Sequence, residues 1–139
     1  MEVRPPLANP SSTITSNPGP EEWVTAQRDS FHTGQVPGVE FDPNGTVAWS
    51  FKSDGPIIGS AAVAGGLVFI GTNDLRIVAL NSATGDLVWE YPLHLQPNSI
   101  PTIAQDLLYW GLRDGTVIAL KYRTGELVWT YKTGAAIYS

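Results

Sequence analysis

The apolar residues of this chain come in short runs, each closed by glycine, proline, asparagine or aspartate, and none keeps the three-and-four spacing of an amphipathic helix. Residues 57–63 lie between Asp54-Gly55-Pro56 and Gly65-Gly66, and residues 67–70 end at Gly71-Thr72-Asn73-Asp74. Residues 76–80 stop at Asn81, and residues 86–91 stop at Pro92. Four runs of this length, separated by turn residues, predict a four-stranded antiparallel meander. The plan returns in residues 100–103, 107–111, 116–120 and 126–131. Its second run, Leu67-Val68-Phe69-Ile70 and then Leu107-Leu108-Tyr109-Trp110, is apolar at consecutive positions, so the strand is expected to be buried on both faces. Sheets stacked radially, each sandwiched between its neighbours, provide that burial at every repeat.

The two meanders are copies. Trp49, Trp89 and Trp129 follow one another at 40-residue intervals, and Gly71/Gly111, Asp74/Asp114, Ala79/Ala119 and Leu80/Leu120 keep the same interval. A constant period in this range marks a repeat architecture in which each unit needs its neighbours to bury its faces. The expected fold class is all-β, an incomplete propeller of four-stranded antiparallel blades. Residues 1–20, rich in proline and serine, read as a disordered leader, because they have too little to bury to offset the entropy of ordering. Residues 21–139 read as the partial propeller: a lead-in segment (21–43), the end of a preceding blade (44–52), blades at 53–92 and 93–132, and the start of a third (133–139).

Composition narrows the function classes. With 8 basic and 13 acidic residues and no basic cluster, nucleic acid is a poor partner. The absence of cysteine removes disulfides, thiolate metal sites and a cysteine nucleophile. The apolar runs are too short for a membrane span, and the first residues lack the basic and apolar regions of an export signal. His32 has no histidine or acidic partner at a metal or catalytic spacing and reads as a turn residue.

The residues at the heart of the repeat carry a resemblance. Ala79, Asn81, Thr84, Gly85 and Trp89 resemble the tryptophan-docking motif of pyrroloquinoline-quinone-type β-propellers: alanine, a short polar residue two on, threonine-glycine, then tryptophan. Ala119, Thr124, Gly125 and Trp129 repeat it, with Lys121 in the place of the short polar residue, and Trp49 ends an earlier copy. Residues 23–34 are similar to the segment that often precedes the first blade in this family. In the motif, Gly85 is expected to take the positive φ of a turn, and Asn81 and Thr84 to bond back to turn amides. Ala79 is expected to leave room on the sheet, and Trp89 to place a large flat surface with one N–H between blades.

Catalytic relatives in this family are dehydrogenases that hold the quinone with calcium. No calcium or quinone ligand and no base can be carried over from them, so the expected catalytic, cofactor and metal residues are none. The resemblance then implies a non-catalytic protein-interaction or scaffold module, working in the periplasm or outside the cell. A fragment of a calcium- and quinone-dependent dehydrogenase is the alternative. Its partner is expected to be another protein, or a second copy meeting exposed blade faces. The loops expected to carry recognition contain Asn73, Asp74, Arg76, His94, Arg113 and Asp114.

Overall fold

The computed structural model describes residues 45–57, 59–97 and 99–137. The expected leader, the lead-in segment and the last two residues of the third unit lie outside the described residues.

Each 40-residue unit forms one four-stranded antiparallel sheet with its strands in chain order. Blade 1 consists of β1 (Ala62–Ala64), β2 (Leu67–Thr72), β3 (Arg76–Asn81) and β4 (Leu87–Pro92). Blade 2 consists of β5 (Thr102–Ala104), β6 (Leu107–Gly111), β7 (Thr116–Lys121) and β8 (Leu127–Lys132). The registers are also copies: Phe69 pairs with Ala79 and Ala79 with Trp89, while Tyr109 pairs with Ala119 and Ala119 with Trp129. Both units shift register at the same place, between Ala79 and Leu80 and between Ala119 and Leu120.

First strands are shorter than the sequence pattern predicts. Of residues 57–63 only the end enters β1, and the run touches β2 beforehand through a single bridge, Ile57 with Thr72. Gly59, at a φ of 83°, turns the chain out of extended geometry before β1 begins. In blade 2 the bridge is Pro97 with Leu112, and Pro101, which has no N–H for a ladder, stands directly before β5.

The main core lies between the blades. Ala62, Ala64, Leu67, Phe69, Ile77, Ala79, Trp89 and Leu93 from blade 1 meet Ile103, Leu108, Trp110, Leu112, Ile118, Leu120 and Tyr122 from blade 2. A smaller cluster of Ile70, Val78 and Leu80 forms on the other face of blade 1, covered by Trp49, Phe51 and Val68. β2 and β3 are therefore buried on both faces, as consecutive apolar residues predict. β6 departs from that expectation. It alternates, with Leu108 and Trp110 buried and Leu107, Tyr109 and Gly111 half-buried, because no second sheet covers that face among the described residues. β8 is exposed throughout.

Candidate functional site

Two places gather the residues singled out by the repeat: the junction between blades and the loop end of the two sheets.

At the junction, Asn81 and Gly85 build a closed turn. The Asn81 side-chain oxygen accepts from the amides of Ala83 (2.9 Å) and Thr84 (3.1 Å), and its carbonyl accepts from the Gly85 amide at 2.8 Å. The Thr84 hydroxyl donates to Asp86 at 2.7 Å, and Gly85 sits at a φ of 78°. A short polar side chain can satisfy two turn amides in this way. In the second copy Lys121 has no such acceptor. Thr124 and Gly125 donate instead to the Lys121 carbonyl, at 3.2 and 2.8 Å, and the Lys121 ammonium reaches Glu126 at 2.6 Å. The turn keeps its shape, with Gly125 at a φ of 73°.

Alanine in the middle strand has a visible use. In the row Phe69, Ala79, Trp89 the two rings meet over the small Ala79, their centroids 5.8 Å apart. Tyr109 and Trp129 meet over Ala119 at 5.9 Å. The indole N–H of Trp89 crosses to blade 2 and donates to the Tyr122 carbonyl at 2.9 Å. Its ring lies so close over Gly125 that a Cβ there would stand 2.7 Å from it. Trp49 makes the same pair of contacts with Ser82 and Gly85. Among the described residues Trp129 makes neither contact, and it is 40% exposed.

At the loop end, the segments before each blade meet the turns between second and third strands. The Asn73 amide donates to the Pro56 carbonyl at 2.8 Å, and the Gln96 amide group donates to the Asn73 side chain. Arg76 is held by three carboxylates: Asp74, Glu90 at 2.9 Å and Asp54 at 3.1 Å. The bonds to Asp74 and then to Glu90 raise the Arg76 pKa further, against the opposing effect of burial. The Asp74 carboxyl is lowered, mainly by the Thr72 hydroxyl and then by Arg76, against the opposing effect of burial. Asp114 takes the equivalent place in blade 2. Its carboxyl is lowered to about 2 by hydrogen bonds from Thr116, assisted by Lys132 and opposed by burial. The Thr116 amide donates to it at 3.0 Å; Lys132 stands 3.4 Å away and His94 3.6 Å away.

The structure thus brings Asn73, Asp74 and Arg76 into one network and His94 and Asp114 into another. Arg113 joins neither and is exposed. Asp54, Glu90, Gln96 and Lys132 belong to these networks without having been singled out by sequence. For Glu90 a signal existed: the register of β3 and β4 sets it opposite Val78, two positions from Arg76 and so on the same face as Arg76, diagonally across the pair. Lys132 pairs with Thr116 beside the Asp114 turn, Asp54 reaches Arg76 from the loop entering the same unit, and Gln96 alone of the three links one unit to the other, through Asn73.

Among the described residues, no group of three or more histidines or carboxylates is placed to hold a metal ion. Asp54, Asp74 and Glu90 bond Arg76, and Asp114 bonds Lys132 and the Thr116 amide, while Asp74 Oδ1 is buried without a hydrogen-bond partner among the described residues. That donor set does not fit a calcium-bound quinone.

The family model described as outer membrane protein assembly factor BamB matches residues 33–138. No curated protein matches the chain. Among solved structures, BamB from Moraxella catarrhalis is 26% identical with a TM-score of 0.60, over 64% of this chain and 28% of that one. A quinohemoprotein alcohol dehydrogenase from Pseudomonas putida is 21% identical with a TM-score of 0.71, over 83% of this chain and 19% of that one. A europium-containing methanol dehydrogenase is 21% identical with a TM-score of 0.69, over 84% and 24%. The chain thus spans less than a third of each of these relatives. The two dehydrogenases share its fold.

Proposed function

We propose, from the premise that this chain belongs to the family of outer membrane protein assembly factor BamB, that it is a non-catalytic propeller segment whose loop end binds another protein. The observation that carries this reading is the chemistry of that end. Charged groups there form two networks that fix the loops, and Arg113, outside both, and His94, at the exposed edge of the second, are open to solvent as recognition groups. A rigid platform with a few exposed charged residues suits protein recognition, where preorganised loops lower the entropy cost of association. Arg76 contributes by holding Asp54, Asp74 and Glu90 in place.

The family's description speaks of outer-membrane protein assembly, and on that ground we place the chain's work outside the cytoplasm. No helix among the described residues is long and apolar enough to cross a membrane. The dehydrogenases share a fold, and a fold does not carry their chemistry with it.

The test has two arms. A photoreactive side chain at Arg113 or His94, introduced into the protein in its own cells, is expected to trap a discrete protein adduct, and Arg113→Glu is expected to abolish the His94 adduct. Titration of the purified chain with pyrroloquinoline quinone and Ca²⁺ is expected to leave its melting temperature and its absorbance spectrum unchanged. Submicromolar quinone binding, or the absence of any adduct at both positions, would overturn the reading.

A further inference from the structure

Two aspartates among the described residues stand directly before a glycine, Asp54-Gly55 and Asp114-Gly115. At such a pair a backbone amide reaches the aspartate carboxyl easily, since glycine has no Cβ to obstruct the approach. The glycine nitrogen bonds to Cγ of the aspartate, and the carboxyl hydroxyl leaves as water. Water then opens the five-membered imide. Entry at Cγ restores aspartate; entry at the main-chain carbonyl breaks its bond to the glycine nitrogen and leaves isoaspartate, whose main chain runs through Cβ and Cγ. One water is lost and one regained, and nothing is oxidised or reduced. The reaction needs a carboxyl free to take a proton and turn toward the amide, and an amide whose hydrogen is not held.

The fold treats the two pairs oppositely. Asp114 is held: its side chain is 23% exposed, the Thr116 amide donates to Oδ1 at 3.0 Å, and the Lys132 ammonium donates to Oδ2 at 3.4 Å. The Gly115 amide donates to the Leu112 carbonyl at 3.0 Å, and Gly115 packs against the Ala135 carbonyl. With its pKa lowered to about 2, the Asp114 carboxyl carries a proton correspondingly rarely at neutral pH. Asp54 is open. Its side chain is 90% exposed and meets one ion-pair partner among the described residues, Arg76 at 3.1 Å. No backbone carbonyl among the described residues accepts from the Gly55 amide. The loop is fastened instead through the two carbonyls beyond that amide: the Gly55 carbonyl accepts from the Ser53 hydroxyl, and the Pro56 carbonyl from the Asn73 amide.

We propose that Asp54-Gly55 is a site of isoaspartate formation in this protein, and that Asp114-Gly115, the same dipeptide, is shielded from the reaction by the fold. Conversion at Asp54 disturbs the loop end. Isoaspartate puts an extra methylene into the main chain beside Gly55, where the loop has no slack: a Cβ on Gly55 would stand 2.9 Å from the Asp74 amide nitrogen. It also moves the free carboxylate to Cα, withdrawing one of the three carboxylates that hold Arg76. The entry loop is then displaced from the turn that carries Asn73 and Asp74. The inference rests on the geometry of two dipeptides and not on the partner-binding reading of the loop end, so each can fail without the other.

Peptide mapping of the purified chain after prolonged warm incubation at neutral pH tests it. Trypsin separates the pairs, Asp54 falling in residues 53–76 and Asp114 in residues 114–121, and electron-transfer fragmentation tells isoaspartate from aspartate and locates it. Deamidation at Asn44-Gly45 changes the mass of residues 29–52 and is read apart. Isoaspartate is expected to accumulate at position 54 and to stay at its starting level at position 114. In guanidinium chloride, where the fold is lost, the two positions are expected to react at similar rates. Asp54→Glu, which would have to close a six-membered ring, is expected to remove the signal from residues 53–76. On the same incubation the melting temperature of the parent is expected to fall further than that of Asp54→Glu. No isoaspartate at position 54 in the folded chain, or as much at position 114, would overturn the proposal, as would a signal in residues 53–76 that survives Asp54→Glu. A preference for position 54 that persists in guanidinium chloride would overturn the part assigned to the fold, and equal melting of the two aged proteins would overturn the displaced loop.

Discussion

Trp89 and Trp129 occupy the same place in the repeat and differ in what they touch. Trp89 is buried at the junction and bonded to the Tyr122 carbonyl, whereas Trp129 is 40% exposed beside Tyr109. Trp89→Ala is therefore expected to cost about 3–5 kcal/mol, the range for emptying a buried aromatic site. Trp129→Ala is expected to cost less than about 1 kcal/mol. Urea unfolding of the two variants measures the difference, and equal losses would contradict it. Asp114 gives a prediction with a definite sign. Its folded pKa is about 2 against an ordinary 3.8, so its carboxylate stabilises the fold fully above 3.8, and the contribution is lost as pH falls through about 2. Asp114→Asn should melt below the parent at neutral pH, and the gap should close between about pH 4 and pH 2. A gap of constant size across that range would assign the effect to something other than the charge.

At the scale of the element, sequence pattern and structure agree where the turn chemistry is strong. β2, β3, β6 and β7 begin or end within about two residues of the positions set by Gly71, Asn81, Gly111 and their neighbours, because those residues close the turns themselves. The first strands are less legible. Residues 57–61 look like strand in sequence, yet β1 begins only at Ala62, and Ile57 meets β2 through a single bridge. The positions equivalent to Ile57 in the next units, Pro97 and Ile137, each pass over a second-strand glycine, Gly71 and Gly111, close enough that a Cβ would clash with them. The 40-residue interval between those glycines is thus a record of where the next blade enters. Nothing in residues 57–63 alone distinguishes packing against a neighbouring unit from pairing within its own.

At the scale of the whole molecule the main core belongs to both blades at once. The two sheets are therefore expected to unfold together. Scanning calorimetry should show one transition, and Trp110→Ala, which empties a site 1% exposed at the centre of the junction, should lower that single transition without splitting it. Two separate melts would mean that each blade holds itself together, contrary to the nearest-neighbour dependence of stacked repeats. By itself the sequence determined the class of fold, the period, the four-strand plan and the turns, because these follow from local chemistry: glycine at positive φ, asparagine capping its own turn, tryptophan recurring beside threonine-glycine. Only the tertiary structure decided which carboxylates gather on Arg76, that Asp114 stands between His94 and Lys132, and that one tryptophan of three equivalent ones lies open. The two charged networks each gather the entry loop, the turn between second and third strands and the fourth strand of one unit. The tryptophans differ by which blade lies beside which. Both are relations between residues distant along the chain that no short motif encodes.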